Sequence, residues 1–139
     1  MKRARLMVGL GLAVMLLLLV ACEGYSVTGS QSSSYENMSG GGIKVSAKKA
    51  NGTATERIET TGTADLVLEA EVTLSVGKGS YKIELLGEGD EVTLSLEAQD
   101  GQEVSGQGWM ATDGFGEARY RLTAVEAEDV EYTIEYTFR

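Results

Sequence analysis

Histidine is absent from this 139-residue chain, and cysteine occurs only once. A single cysteine cannot form an internal disulfide bond, and the usual zinc and copper sites need histidine or several cysteines. The Ser-His and Cys-His pairs that activate nucleophiles are excluded too, together with the most common general base. Carboxylates, lysine, tyrosine and hydroxyl groups are all that remain for catalysis. We therefore expect a protein that is not an enzyme and that needs no cofactor or metal.

Positive charge is also scarce, because 12 Lys and Arg residues stand against 21 Asp and Glu residues, a formal net charge of −9. Three of the basic residues, Lys2, Arg3 and Arg5, lie at the very start, and without them the formal charge is −12. Nucleic-acid binding rests on Lys and Arg that neutralise phosphates. A nucleic-acid partner is therefore excluded, and the length suits one domain.

An uncharged apolar run, LMVGLGLAVMLLLLV at positions 6–20, follows the basic start and leads to Ala21 and Cys22. A basic segment, an apolar run and a small residue are the parts of an export signal. The run is shorter than the roughly 20 apolar residues that span a bilayer. The pattern predicts a helical signal peptide over residues 1–21 that is removed on export.

The end of this segment, Leu19-Val20-Ala21-Cys22, resembles the lipobox of bacterial lipoproteins. The resemblance implies cleavage before Cys22 and attachment of a diacylglyceryl group to its sulfur, so that membrane lipid becomes a partner. Two acyl chains such as palmitate suffice for stable anchoring. The implied location is the extracytoplasmic face of the cell membrane or the outer membrane. The alternative is an ordinary signal peptide, or a short anchor helix, with an incidental cysteine.

The next segment is rich in small residues, since 11 of the 19 residues from Gly24 to Gly42 are Gly or Ser. It has no hydrophobic periodicity and is typical of a flexible linker. Residues 22–42 are therefore predicted to be a tether for a folded domain at 43–139.

Hydrophobic and polar residues alternate with period two throughout the domain, as at Leu66–Val76, Tyr81–Leu85 and Val92–Ala98, then at Ala118–Ala124 and Tyr132–Phe138. Such alternation is typical of strands with one buried face. Turn sequences separate the segments, among them Asn51-Gly52, Gly77-Lys78-Gly79, Asp100-Gly101 and Asp113-Gly114. We expect an all-β fold, an antiparallel two-sheet β-sandwich of about eight short strands; a small barrel is the alternative.

The strand rhythm of GSYKIEL, VTLSLEAQDGQ, ARYRLTA and EYTIEYTF, between Gly79 and Phe138, resembles the jelly-roll-like sandwiches that accompany secreted bacterial peptidases and carbohydrate-active enzymes. The resemblance implies a jelly-roll-like fold. It implies no catalytic residues, because such accessory domains have none.

The most irregular segment is Gly106–Gly116, GQGWMATDGFG, which contains the only tryptophan. Trp109, Phe115 and Asp113 on a glycine-rich loop could stack a sugar ring or anchor a partner, since tryptophan is favoured at binding hot spots. In the alternative interpretation Trp109 fills the core and its N–H binds a backbone carbonyl.

Two groups of acidic residues are candidate sites, one for calcium binding and one for acid-base catalysis. Asp90, Asp100 and Asp113 each lie beside a glycine, but their spacing fits no calcium loop and Asp-Gly is a turn sequence. The run from Glu126 to Glu131 could supply an acid and a base, yet such density is typical of a solvated surface. No metal site is predicted.

These observations favour a lipid-anchored, non-catalytic binding or structural module of the cell envelope, whose partner is an envelope protein or a glycan. One alternative is a carbohydrate-binding module that uses the Trp109–Phe115 loop. Others are a surface hydrolase that uses carboxylates alone and a structural subunit that self-associates through a strand edge.

Overall fold

The computed structural model describes residues 24–61 and 66–139. These residues form seven strands: β1 (Ser26–Thr28), β2 (Gln31–Asn37), β3 (Gly40–Glu59), β4 (Val67–Leu86), β5 (Val92–Gln99), β6 (Glu103–Ala111) and β7 (Glu117–Phe138). One 3-10 turn, Glu88–Asp90, links β4 to β5. No helix within these two ranges has the length and hydropathy needed to cross a bilayer. The predicted signal peptide and the Leu19–Cys22 lipobox lie outside the described residues.

Three long strands hold the fold together. β7 pairs antiparallel with β3 on one side and with β4 on the other, along almost their whole lengths. β2 and β1 pair with successive parts of β3, while β6 and β5 pair with successive parts of β4. The long strands therefore run through two layers. The first layer has the order β2-β3-β7-β4-β6, and the second layer has the order β1-β3-β7-β4-β5.

Each long strand bends where it passes from one layer to the other. The pairing register shifts between Ala50 and Gly52 in β3 and between Lys78 and Ser80 in β4. β7 bends over residues 125–129, where Glu126 and Asp129 have φ angles of 44° and 51°. Bulges of this kind add residues to one strand and increase its local twist. They allow the sheet to fold over so that its two layers face each other.

Tyrosines join the facing layers in the core. The ring of Tyr132 from the first layer lies 6.0 Å from that of Tyr81 and 6.1 Å from that of Tyr120, both of the second layer. The hydroxyl groups of Tyr120 and Tyr132 are 3.1 Å apart and share a hydrogen bond. All three side chains are buried. The all-β sandwich expected from the sequence is thus confirmed.

One edge of the sandwich is closed by direct contact between β5 and β6. Gly108 faces inward, and a Cβ on it would lie only 2.6 Å from the Cβ of Leu94. The backbone N–H of Trp109 donates to the Thr93 hydroxyl oxygen at 3.2 Å, and that hydroxyl donates to the Trp109 carbonyl. Glycine lets the two edge strands approach this closely.

The number of strands differs from the sequence prediction. The segments on either side of Asn51-Gly52 belong to the single strand β3, and those around Gly77-Lys78-Gly79 belong to β4. The same holds for Ala118–Ala124 and Tyr132–Phe138, which are both parts of β7. The predicted turns at Asn51-Gly52 and Gly77-Lys78-Gly79 are thus bends within single strands. Gly52 and Gly79 have positive φ angles, and glycines with such angles occur in bulges as well as in chain reversals.

The structure also corrects the predicted tether. The structure describes the predicted tether from Gly24 onward. Most of these residues belong to β1, β2 and the start of β3. Every residue of β2 is paired with β3, although its side chains are exposed or half-buried. An edge strand held by backbone hydrogen bonds does not need buried side chains, so it leaves no hydrophobic periodicity in the sequence.

We predict that Gly108→Ala destabilises the protein by about 1–3 kcal/mol, because the added methyl group overpacks the contact with Leu94. Gly114→Ala is the matched control, since a Cβ at Gly114 meets nothing within 4 Å. We expect that variant to stay within about 0.5 kcal/mol of the parent in urea unfolding. Equal stability of the two variants would contradict the close approach of β5 and β6.

The buried tyrosines predict sensitivity to alkaline pH. Burial raises the pKa values of Tyr81, Tyr120 and Tyr132 above the ordinary value of 10.0. Above that pH the unfolded chain loses these protons while the folded chain keeps them, so stability falls as the pH rises. Three phenols together should lower the free energy of unfolding by about 4 kcal/mol per pH unit.

Tyrosinate absorbance and circular dichroism, both followed from pH 9 upward, check this expectation. Each buried phenol releases about one proton when it ionises. Ionisation of the three buried phenols should coincide with loss of β-structure, and Tyr81→Phe should reduce the slope by about 1.4 kcal/mol per pH unit, the share of one phenol. Ionisation of all three in a chain that stays folded would refute it.

Candidate functional site

A groove of about 590 Å³ runs across the outer face of the first layer, the side that faces away from the core. We call it the outer groove. Its lining comes from all five strands of that layer, and its polar side chains include those of Tyr35, Asn37, Ser39, Glu69, Glu71, Gln107, Trp109, Glu135, Thr137 and Arg139. A cavity of this size lies within the range of small-molecule and oligosaccharide sites.

The strand register places these side chains in two parallel rows. One row across the layer is Tyr35, Gly42, Glu135, Glu71 and Gln107, and the next row is Asn37, Gly40, Thr137, Glu69 and Trp109. Directly paired residues in an antiparallel sheet project on the same face. Neither β3 glycine leaves open space, because the Tyr35 ring covers Gly42 and the β7 backbone at Tyr136 lies against Gly40.

Tyr35 and Trp109 stand at opposite edges of the outer groove. The Tyr35 ring lies over Gly42, where an added Cβ would be 2.7 Å from its Cε1 atom, and 57% of Tyr35 is exposed. Trp109 is half-buried, and its indole ring lies against Gly87. A Cβ atom added at Gly87 would be 2.6 Å from the Cη2 atom of Trp109. Both aromatic side chains are thus held against glycines and keep surface available to a ligand.

The floor between the aromatic residues is acidic. Glu71 and Glu135 are direct cross-strand neighbours, and Glu69 lies in the adjacent row. The Arg139 Nε atom lies 3.4 Å from a carboxylate oxygen of Glu69, and both side chains are more than half exposed. An exposed ion pair of this kind contributes little to stability. The carboxylates therefore remain available as hydrogen-bond acceptors.

Asp113 and Phe115 do not join Trp109 in this site. Trp109 belongs to strand β6, whereas the other two residues lie in the turn between β6 and β7. The Asp113 Oδ1 atom accepts hydrogen bonds from the backbone N–H groups of Phe115 and Glu117, at 2.8 and 3.1 Å. These bonds lower the pKa of Asp113, and Phe115 is 89% exposed. The segment predicted as one glycine-rich loop is thus a strand followed by a tight turn.

The other aspartates that were considered for calcium have local partners. The Asp100 Oδ1 atom accepts a hydrogen bond from the Gly79 N–H at 2.6 Å, and Asp90 pairs with Arg119. Within residues 24–61 and 66–139, no three His, Cys, Asp or Glu residues are grouped so that they could hold a metal ion.

The acidic run of β7 lies at the bend and along the strand that follows. Glu128 and Glu131 form ion pairs with Lys49 and Lys44, at 3.9 and 3.2 Å. Glu126 and Asp129 adopt the positive φ angles of the bend.

Sequence analysis missed Tyr35 and the row of carboxylates as parts of one site. Tyr35 stands in the segment that was predicted to be a tether, so no strand partner could be assigned to it. The alternation around Glu69, Glu71 and Glu135 indicates that they face outward, yet alternation within a strand does not reveal which strand lies beside it.

No protein-family model matches the sequence, and a search of curated proteins finds no match. Several solved structures are similar to this chain over most of its length. One is the CBM22-1 xylan-binding domain of Xyn10C from Paenibacillus barcinonensis, with 10% identity and a TM-score of 0.40, covering 83% of this chain and 84% of that domain. Another is the carbohydrate-binding module CBM6cm-2 of Cellvibrio mixtus lichenase 5A in complex with cellotriose, with 15% identity, a TM-score of 0.37, and coverage of 81% and 88%.

A third is the cupin domain of Schizosaccharomyces pombe Cnp3, with 8% identity, a TM-score of 0.39, and coverage of 82% of this chain and 64% of that one. These similarities concern the fold alone.

Proposed function

We propose that this protein is a non-catalytic binding module of the cell envelope that recognises a polysaccharide through the outer groove. The observation that carries the proposal is the placement of Tyr35 and Trp109 at the two edges of an acceptor-rich groove. Aromatic faces provide apolar contact area with little side-chain entropy to lose, and they suit the apolar faces of sugar rings. The carboxylates and Gln107 between them supply acceptors for sugar hydroxyl groups.

The charge of the outer groove narrows the class of polysaccharide. Glu69, Glu71 and Glu135 face the ligand and only Arg139 opposes them. Like charges across an interface cost affinity, whereas neutral hydroxyl groups donate well to carboxylates. A polymer of neutral sugars fits this surface, and a polymer of acidic sugars does not.

Lipid attachment at Cys22 is the second part of the proposal, and it rests on the lipobox resemblance. Strand β1 begins at Ser26, and the Tyr25 hydroxyl already bonds to Tyr81 at 3.0 Å. Two residues, Glu23 and Gly24, separate Cys22 from Tyr25. The three Cα–Cα steps between them extend to about 11 Å at most. A lipid on Cys22 would therefore hold the sandwich close to the membrane surface. A flexible tether over residues 22–42 would instead let the domain move far from the membrane.

The polysaccharide proposal predicts retention of the protein on gels that contain a neutral β-glucan or xylan, with the bound polymer recovered at unchanged length. Tyr35→Ala and Trp109→Ala should each weaken binding by about 10-fold or more, the loss typical of an aromatic hot spot. Phe115→Ala is the matched control, because Phe115 is exposed but lies outside the outer groove.

Three results would contradict the proposal. Retention lost in Phe115→Ala but kept in Trp109→Ala would move the site to the β6–β7 turn. Equal retention on polygalacturonate would refute the role of the acidic floor. Shortened polymer in the eluate would identify a hydrolase.

The anchoring proposal predicts that the protein sediments with membranes of a bacterial host and that its N-terminal peptide begins at Cys22 with a diacylglyceryl mass. Cys22→Ala should release the protein from the membrane fraction, since two acyl chains provide the anchor. Unmodified Cys22, or membrane association that survives this substitution, would refute the anchor without affecting the polysaccharide site.

A further inference from the structure

A second cavity opens between the two layers at the edge formed by β1 and β2. It has a volume of about 390 Å³, and we call it the tyrosine cleft. Tyr81, Tyr120 and Tyr132 form its floor, and its walls and mouth include Tyr25, Val27, Ile43, Val45, Leu122 and Glu56. No lining residue is shared with the outer groove.

This edge stays open because its two strands do not meet each other as β5 and β6 do. β1 has three residues, and β2 pairs with a different part of β3. Ile43 and Val45 face inward from β3, yet both remain partly accessible. Apolar surface left in contact with water costs about 25 cal/mol per Å². A ligand that covers these side chains recovers that free energy.

Most polar groups of the tyrosine cleft satisfy each other. The hydroxyls of Tyr25 and Tyr81 share a hydrogen bond of 3.0 Å, and those of Tyr120 and Tyr132 share one of 3.1 Å. The rim at positions 30–34 is formed by serine and glutamine side chains. The floor is therefore closed and without free polar groups, the half-buried Tyr25 presents the accessible aromatic ring, and one ionisable carboxyl group stands at the mouth.

That carboxyl group belongs to Glu56. Arg57 also lines the tyrosine cleft, but its guanidinium group pairs with Glu117 at 3.3 Å. Among the described residues no Lys or Arg forms an ion pair with Glu56. Partial burial raises the pKa of Glu56, and its charge in turn raises the pKa values of the tyrosines around the cleft. A positive charge placed at the mouth would relieve both effects.

We propose that the tyrosine cleft binds a small amphipathic amine, with its apolar body against Ile43, Val45 and the ring of Tyr25 and its ammonium group facing Glu56. The cleft volume admits a molecule with about one ring and a short chain. An ammonium group is attracted both by a carboxylate and by the face of a tyrosine ring. The proposal does not depend on polysaccharide binding at the outer groove.

Three probes with the same aromatic body and different charge test this inference: tyramine, neutral 4-ethylphenol and anionic 4-hydroxyphenylacetate. Each is titrated into the full chain in lipid nanodiscs and followed by calorimetry at pH 7. Tyramine should bind at least about 10-fold more tightly than 4-ethylphenol, which corresponds to one favourable charge contact. The anionic probe should not bind measurably.

Two variants locate the binding. Glu56→Gln should lower the affinity for tyramine to that for 4-ethylphenol and leave the latter unchanged. Val45→Trp should abolish binding of both by filling the cleft. Because that variant could fold poorly, Val45→Phe is made as well, and unchanged circular dichroism is required of each. Trp109→Ala, in the outer groove, is the control and should bind tyramine normally.

Equal affinities for tyramine and 4-ethylphenol would overturn the proposal, as would tyramine affinity that survives Glu56→Gln. Failure of all three probes to bind would also overturn it. Loss of polysaccharide retention in Trp109→Ala with normal tyramine binding would show that the two sites are separate, so failure of one proposal is distinguishable from failure of the other.

Discussion

The bends in the three long strands determine everything else in the fold. A strand that crosses from one layer to the other must keep its apolar side chains inside, although side chains alternate strictly along a strand. In β4 the buried apolar residues have even numbers from Leu68 to Val76 and odd numbers from Tyr81 to Leu85, and the register shift at Lys78–Ser80 lies between the two sets. In β3 the buried apolar residues change from odd at Ala47 to even at Ala50, Ala54 and Ile58, next to the register shift at Ala50–Gly52.

The two edges of the sandwich differ, and this difference creates the tyrosine cleft. At the β5–β6 edge, Gly108 permits close contact with Leu94, and Thr93 holds the Trp109 backbone. The Trp109 side chain lies on the outside of the sandwich against Gly87, where it can face a ligand. At the β1–β2 edge no such contact forms, so the space between the layers remains accessible as the tyrosine cleft.

Alternation in the sequence was sufficient to assign most of the inward face, including Leu68, Val72, Ile83 and Ile134, all of which are buried. Alternation was not sufficient to distinguish a bend within a strand from a reversal between two strands. Asn-Gly and Gly-Lys-Gly sequences meet the backbone requirements of a bulge and of a hairpin turn alike. The sequence does not give the side of Trp109, because Trp109 and Met110 are adjacent apolar residues and alternation does not say which of them faces inward. In the structure Met110 is fully buried, so Trp109 faces outward.

Strand β2 shows why the candidate sites were harder to foresee than the core. Its side chains contribute little buried surface, and backbone pairing together with Glu36 holds it in place. The Glu36 carboxylate accepts hydrogen bonds from the Thr61 N–H at 2.9 Å and from the Tyr136 hydroxyl at 2.8 Å. Tyr35 of this strand enters the outer groove, while Ser32 and Ser34 line the tyrosine cleft. A serine-rich strand without hydrophobic periodicity thus supplies one wall of each cavity, and only its pairing with β3 reveals this.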